Sequence, residues 1–222
     1  MESAIIGPHQ KQAVQSAGVR PEKASAAMIL LHGRGSAASA ILLLVEEFQS
    51  DSFTYLAPQA AENSWYPYTF LEPIQLNQSW ISSGFSVIAS LCKQLNEENI
   101  PDERIILLGF SQGACLALEY AAQHAGRYGG IVGLSGGLIG PPGTPRTYPG
   151  SMDNTQVFLG CSDTDFHIPR ERVLETAEVF LKLGAKVTTR LYPQMGHTIN
   201  QDEIGFIQEM MQGLNPPDKL SR

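Results

Sequence analysis

Basic residues are in short supply: Lys and Arg together number 15 against 22 Asp and Glu, for a net charge of −7. A surface of that sign offers no electrostatic footprint for nucleic acid and no cationic cluster for an anionic membrane, so neither is expected as a partner. Cysteine is scarcer still. The three thiols, Cys92, Cys115 and Cys161, are odd in number and sit in apolar segments without metal-ligand spacing. That excludes a disulfide framework and a cysteine metal centre, and it fits thiols kept reduced in the cytoplasm. Long apolar runs are missing as well. Runs such as 28–31 and 41–45 are far too short to cross a bilayer, and the N-terminus lacks the basic region and apolar core of a signal peptide. No stable membrane insertion, metal or cofactor is therefore expected.

What is present is a repeated alternation of short apolar runs with helical patterns. Apolar segments at 26–31, 53–57, 105–108, 130–134, 156–160 and 185–191 read as strands, and amphipathic or small-residue stretches separate most of them. The expected architecture is α/β, a mostly parallel sheet with helices on both faces, in one domain spanning 1–222. Residues 1–25 read as an irregular lead-in with a short edge strand at 4–6, and 215–222 as a frayed tail. A helix is expected over 36–48. A long one follows Gln78, with apolar positions Ile81, Phe85, Ile88, Leu91, Cys92 and Leu95. A last helix is opened by an Asn200/Glu203 capping box.

One five-residue stretch stands out: Gly109-Phe110-Ser111-Gln112-Gly113, between the run Ile105 to Leu108 and a small-residue helical pattern. Gly-x-Ser-x-Gly between strand and helix is a nucleophile elbow, the sharp turn that presents a serine hydroxyl above the sheet edge. Both glycines are needed because the turn closes only without side chains there.

Serine needs a base, and the base needs an orienting carboxylate. Of five histidines, His9 lies in the lead-in, and His124 would sit about 20 Å along the elbow helix at 1.5 Å per residue. His167 follows Asp165 too closely to share a Ser–His–Asp line. His32 precedes the serine and reads as support for the turn after the first central strand. His197, in a loop after the last strand, completes the hydrolase chain order of serine, acid, histidine. The acid is Asp163 or Asp165; spacing does not separate them. An oxyanion hole requires two preorganised N–H donors. Gln112, directly after the serine, supplies one; Arg34, between Gly33 and Gly35, is the candidate for the other. His32, Ser111, Asp165 and His197 all fall just past the C-terminal ends of expected strands, the edge where parallel sheets place their sites.

Taken together, Leu31-His32-Gly33-Arg34-Gly35, the Ser111 elbow, Asp163-Thr164-Asp165-Phe166-His167-Ile168-Pro169 and Gly196-His197 resemble the phospholipase/carboxylesterase family, over residues 26–214. That family includes acyl-protein thioesterases and small bacterial carboxylesterases. The resemblance implies an α/β-hydrolase fold with no large cap domain. It makes Asp165, the second Asp of an Asp-x-Asp-x-x-Val-Pro pattern, the triad acid, and the backbone amides of Arg34 and Gln112 the oxyanion donors. It leaves a homodimer open. Two positions depart from the family: Arg34 where leucine is common, and Ser36 where aspartate is.

The aromatic-rich loop 59–78 should shape the substrate site, with Trp65, Tyr66 and Leu71 walling a channel and Phe166 beside the acid. The alternative is that these aromatics only anchor a long loop. Segment 135–154 lies where larger hydrolases insert a helical cap, but it is too short and Gly/Pro-rich to form one. The expected activity is a serine hydrolase of carboxylic esters or thioesters with small to medium acyl groups. A lysophospholipase or protein depalmitoylase preferring long acyl chains is the first alternative, and a catalytically silent binder on the same fold the second. The Arg34 side chain carries its own expectation, a preference for acyl groups bearing a carboxylate.

Overall fold

The computed structural model describes residues 7–48 and 50–214 of the chain. The expected edge strand at 4–6 and the tail 215–222 lie outside the described residues.

Seven strands form one sheet: β1 (Val14–Gly18), β2 (Ala26–Leu31), β3 (Phe53–Pro58), β4 (Ile105–Phe110), β5 (Gly130–Leu134), β6 (Gln156–Ser162) and β7 (Lys186–Tyr192). Their spatial order is β1-β3-β2-β4-β5-β6-β7. Strands β2 to β7 run parallel, and β1 pairs antiparallel with β3. β1 corrects the reading of 1–25 as irregular. Its five residues, Val-Gln-Ser-Ala-Gly, are nearly all exposed, so no apolar alternation announces them. The strand exists because β3 has a free edge to pair with, which is tertiary context rather than local signal.

β2 and β3 are buried at every position, as expected of parallel strands covered on both faces. Side chains alternate between two cores with a period of two. Ala27, Ile29 and Leu31 of β2, with Ile105 and Leu107 of β4, face one core. Met28 and Leu30, with Ile106 and Leu108, face the other. The first core is covered by α2 (Ile74–Glu97), α3 (Gln112–Gln123) and α4 (Arg170–Lys182). On the opposite face lie α1 (Ala38–Ile41) and α5 (Gln201–Gln212).

The helix expected over 36–48 is instead one α-turn, α1, followed by a 3-10 stretch at Leu42–Glu46. Ile41 to Val45 is apolar without gaps, so no single helical face collects the hydrophobic side chains, and Leu43 is left 63% exposed. Helix α2 begins earlier than its apolar stripe because its first turns are tied down by polar contacts. The Asn77 carboxamide accepts from Tyr68 N–H at 3.0 Å and donates to the Thr69 carbonyl at 3.0 Å. The capping box of α5 is formed, with Glu203 N–H donating to the Asn200 side chain and Asn200 N–H to the Glu203 carboxylate, both at 2.9 Å.

The strand order places the site. After β2 the chain moves outward to β3, then returns to lay β4 on the other side of β2. The crevice at that reversal lies between the loops leaving β2 and β4, where Leu31 pairs with Gly109. Segment 135–154 holds no helix, and among the described residues no cap domain covers this edge.

Candidate active site

The β4–α3 turn holds Ser111 at φ 56° and ψ −119°, a left-handed conformation that costs a non-glycine residue on the order of 1–3 kcal/mol. Packing maintains it. A β-carbon on Gly109 would lie 2.3 Å from the Gly113 carbonyl group, and one on Gly113 would lie 2.1 Å from the Leu31 carbonyl oxygen. The two glycines thus let the turn close on itself and press against β2. Ser111 N–H donates to the Leu134 carbonyl at 2.9 Å, fixing the turn from the β5 side as well.

His197 arrives from the loop between β7 and α5. Its Nε2 lies 2.9 Å from Ser111 Oγ and its Nδ1 lies 2.7 Å from Asp165 Oδ2. The Asp165 side chain is shut off from solvent. Its other oxygen, Oδ1, accepts the His167 and Ile168 N–H groups at 2.8 and 3.1 Å. Burial pushes this carboxyl up, but the hydrogen bonds from His197 and the two amides outweigh burial and hold it below the ordinary aspartate value. Asp163 is occupied elsewhere: its Oδ1 accepts from Gln194 N–H at 2.9 Å, bracing the loop that leads to His197. Geometry therefore separates two carboxylates that spacing could not.

Neither Arg34 N–H nor Gln112 N–H has a hydrogen-bond partner among the described residues. Gln112 opens α3, where the first amides lack intrahelical acceptors and the dipole is positive. Both N–H groups belong to the two loops that flank Ser111 at the crevice.

These residues border a cavity of about 550 Å³, lined in part by Tyr66, Phe70, Leu71, Phe110, Phe166 and Ile168. Tyr66, Leu71 and Phe166 are among the residues at the cavity wall, with Phe166 89% exposed at the mouth. Trp65 is not. It is fully buried beneath the site, its indole N–H donating to the His32 carbonyl at 2.8 Å and its ring 5.3 Å from the His32 ring. Trp65 is an anchor, because an indole buried this deeply must satisfy its N–H and finds the acceptor in the turn after β2.

Support around the site comes from residues with little sequence signal. The Gln112 carboxamide accepts from Trp65 N–H at 2.8 Å and donates to the Tyr66 carbonyl at 2.8 Å, stitching the aromatic loop to the elbow. His9, expected in an irregular lead-in, is buried, and its ring lies between Ala61 N–H and the Trp65 carbonyl, each at 3.1 Å. His32 supports its turn as expected. Ala60 N–H donates to Nε2 at 3.1 Å, which leaves the ring proton on Nδ1 for the Gly33 carbonyl at 2.8 Å. Burial pushes both histidines below their ordinary value. His167 is brought to the site after all, its ring 4.9 Å from that of His197. The Arg34 guanidinium donates to the Pro67 and Tyr68 carbonyls at 2.8 and 2.5 Å.

A model of the phospholipase/carboxylesterase family matches residues 9–215. The chain belongs to this family. A solved phospholipase/carboxylesterase from Dyadobacter fermentans is 36% identical, with a TM-score of 0.88 over 95% of this chain and 100% of that one. Acyl-protein thioesterase 1 of Debaryomyces hansenii is 26% identical over 223 residues, covering 85% of this chain and 92% of that protein. The protein of the same name from Gibberella zeae is 29% identical over 152 residues, which span 66% of this chain and 60% of its own length. As a member of the phospholipase/carboxylesterase family, the chain is a carboxylesterase- or thioesterase-type hydrolase with the α/β-hydrolase fold. Among the described residues no helix is long and apolar enough to cross a membrane. No group of three or more His, Cys, Asp or Glu among them could hold a metal ion.

Proposed function

We propose that the protein hydrolyses carboxylic esters or thioesters through a Ser111–His197–Asp165 triad. One observation carries the reading: an unbroken line of hydrogen bonds, 2.9 Å from Ser111 to His197 and 2.7 Å from His197 to Asp165, at the mouth of an apolar cavity. His197 Nε2 takes the proton of Ser111 Oγ as the oxygen attacks the acyl carbonyl carbon. Asp165 holds the imidazole in the tautomer with Nδ1 protonated and stabilises the imidazolium. The Arg34 and Gln112 amides, unpartnered among the described residues, receive the oxyanion of the tetrahedral intermediate. His197 then protonates the departing alcohol or thiol. Water attacks the acyl-Ser111 with the same histidine as base, which releases the acid and restores the serine.

The acyl group lies against Tyr66, Phe70, Leu71 and Ile168, while Phe166 covers the entrance. Trp65 takes no part in binding. The absence of a cap over this edge suits small to medium or extended esters. A longer acyl preference is the second reading, favoured by the apolar lining and by relatives named acyl-protein thioesterase. We place the protein in the cytoplasm, on the strength of three buried, unpaired thiols.

Ser111→Ala tests the chemistry. With p-nitrophenyl butyrate, kcat should fall by a factor of about 10³ or more, and a loss below tenfold would remove Ser111 from the role. A series of p-nitrophenyl esters and matching thioesters of graded acyl length decides between the two substrate readings.

A further inference from the structure

Among the described residues that line the cavity, Arg34 supplies the one full side-chain charge, histidines aside, with no Asp, Glu or Lys beside it. The guanidinium makes no ion pair with any described residue. Its two hydrogen bonds go to the neutral carbonyls of Pro67 and Tyr68, and its carbon lies 5.8 Å from the centre of the Tyr66 ring. These contacts fix the group without neutralising it. Of its five N–H donors, three have no acceptor among the described residues. The Asp165 carboxylate is turned away, enclosed behind His197.

Arg34 is exposed and shares its lack of an ion pair with other surface cations, and Arg104 likewise donates to main-chain carbonyls. What sets Arg34 apart is its place beside the nucleophile at the cavity. The arginines elsewhere that are most buried are paired: Arg146 with Glu119 and Glu175, and Arg172 with Glu175. A leucine or methionine would cover the Tyr66 ring at lower entropic cost, so clamping the loop does not by itself require a charge. A planar fork held still by two carbonyls beside a nucleophile is preorganised to receive a carboxylate in the bidentate manner arginine favours.

We propose that Arg34 is a specificity-determining residue that binds a carboxylate carried by the ester substrate. The proposal rests on the serine-hydrolase reading and narrows its substrate class to esters with an anionic group a few bonds from the scissile carbonyl. The reaction yields a dicarboxylic acid when the charge is on the acyl half, or a hydroxy acid when it is on the alcohol half. Either way, the substrate is the product of a reaction that leaves only one end of a doubly functional molecule esterified, a carboxyl of a diacid or the hydroxyl of a hydroxy acid.

The test compares matched esters by titrating released acid at constant pH. Monoethyl glutarate is set against ethyl valerate for the acyl half, and 4-acetoxybutanoate against butyl acetate for the alcohol half. The readout is the ratio of kcat/KM between the charged and neutral member of each pair, so any general loss from loosening the loop cancels. Arg34→Leu and Arg34→Gln should lower that ratio about fivefold to tenfold in one of the pairs, the range expected for a charge-assisted contact at a partly exposed site. Arg34→Lys, which keeps the charge, should retain most of it. The Gln variant keeps donors for the Pro67 and Tyr68 carbonyls, so it guards against misfolding of the Leu variant. Ratios unchanged within twofold in both pairs, with ethyl valerate or butyl acetate still cleaved through Ser111, would overturn the carboxylate proposal alone. A wild type that cleaves p-nitrophenyl butyrate but neither charged ester likewise overturns the carboxylate proposal. One that cleaves no ester or thioester of the graded series and takes no fluorophosphonate on Ser111 overturns the hydrolase reading itself.

Discussion

Replacing Asp165 by asparagine should be nearly isosteric and yet severely damaging, and the structure gives the reason. Asp165 Oδ1 accepts two backbone N–H groups, from His167 and Ile168, while Oδ2 accepts from His197 Nδ1. An asparagine in this place must keep its carbonyl oxygen on the two amides, because turning its NH2 toward them would oppose donors with donors. The NH2 group then faces His197 Nδ1 and forces that nitrogen to accept. The ring proton moves to Nε2, where it points at Ser111 Oγ, and the base can no longer take the serine proton. Loss of the correct tautomer through the same Asp-to-Asn change in a serine protease lowers kcat about 10⁴-fold, and a loss of that order is expected here. At 1.36 kcal/mol per decade this amounts to about 5 kcal/mol of transition-state stabilisation. KM should change little, since Asp165 does not border the cavity. Steady-state kinetics on p-nitrophenyl butyrate, with circular dichroism to confirm the fold, gives the answer. A kcat within tenfold of wild type in a folded Asn variant would refute the tautomer argument.

Two further outcomes follow from the same packing. Gln112→Ala leaves the Trp65 N–H without its acceptor, at a cost of about 1–3 kcal/mol, while the Tyr66 carbonyl loses one of two donors and keeps the Ser64 hydroxyl at 2.8 Å. Urea denaturation should show a loss on the order of 1–3 kcal/mol, and KM should rise as the aromatic wall loosens. An unchanged midpoint and KM would mean that the stitch carries no energy. Glu203 is fully buried, with one carboxylate oxygen lacking a partner, and burial raises it from the ordinary glutamate value of 4.5 to about 7. An acid raised in the folded state binds more protons than in the unfolded chain between those two values, so its contribution is fully present below about pH 4.5 and declines as pH climbs to 7. Asp165, held below its ordinary value, acts in the opposite sense: its stabilisation is present above about pH 4 and disappears as pH falls through the folded value. Glu203→Gln keeps an acceptor for the Asn200 cap and should abolish the decline between about pH 5 and 7, on the order of 3 kcal/mol. A Tm profile that falls equally in the variant over this range would show that Glu203 is not its source.

What the chain makes legible and what it does not divide along one physical line. The elbow at Ser111, the turn after β2 and the cap at Asn200 are specified by contiguous residues whose conformational demands are local: two glycines around a strained serine, a carboxamide opposite a glutamate. The strands at the centre of the sheet are legible because burial on both faces makes them continuous apolar runs. β1 is not, since a polar strand at an edge owes its existence to the partner it pairs with. Trp65 departs from its expected place for a related reason. An aromatic in a loop looks the same whether it points into a cavity or beneath it, and only the position of the His32 carbonyl decides. His9 and the Gln112 side chain work across 56 and 47 residues of sequence, distances over which no local pattern extends. The choice between Asp163 and Asp165 likewise comes down to which carboxylate meets His197 and which meets Gln194.

The most direct measurement is covalent labelling by a fluorophosphonate, read by mass spectrometry of the intact protein and its peptides. Such a reagent needs a deprotonated serine and an oxyanion pocket, with no demand on substrate fit. The account predicts one adduct per chain, on Ser111, and a labelling rate at least about a hundredfold lower in His197→Ala, because the base is gone. An intact wild-type chain that takes up no label, or takes it up at another residue, would contradict it.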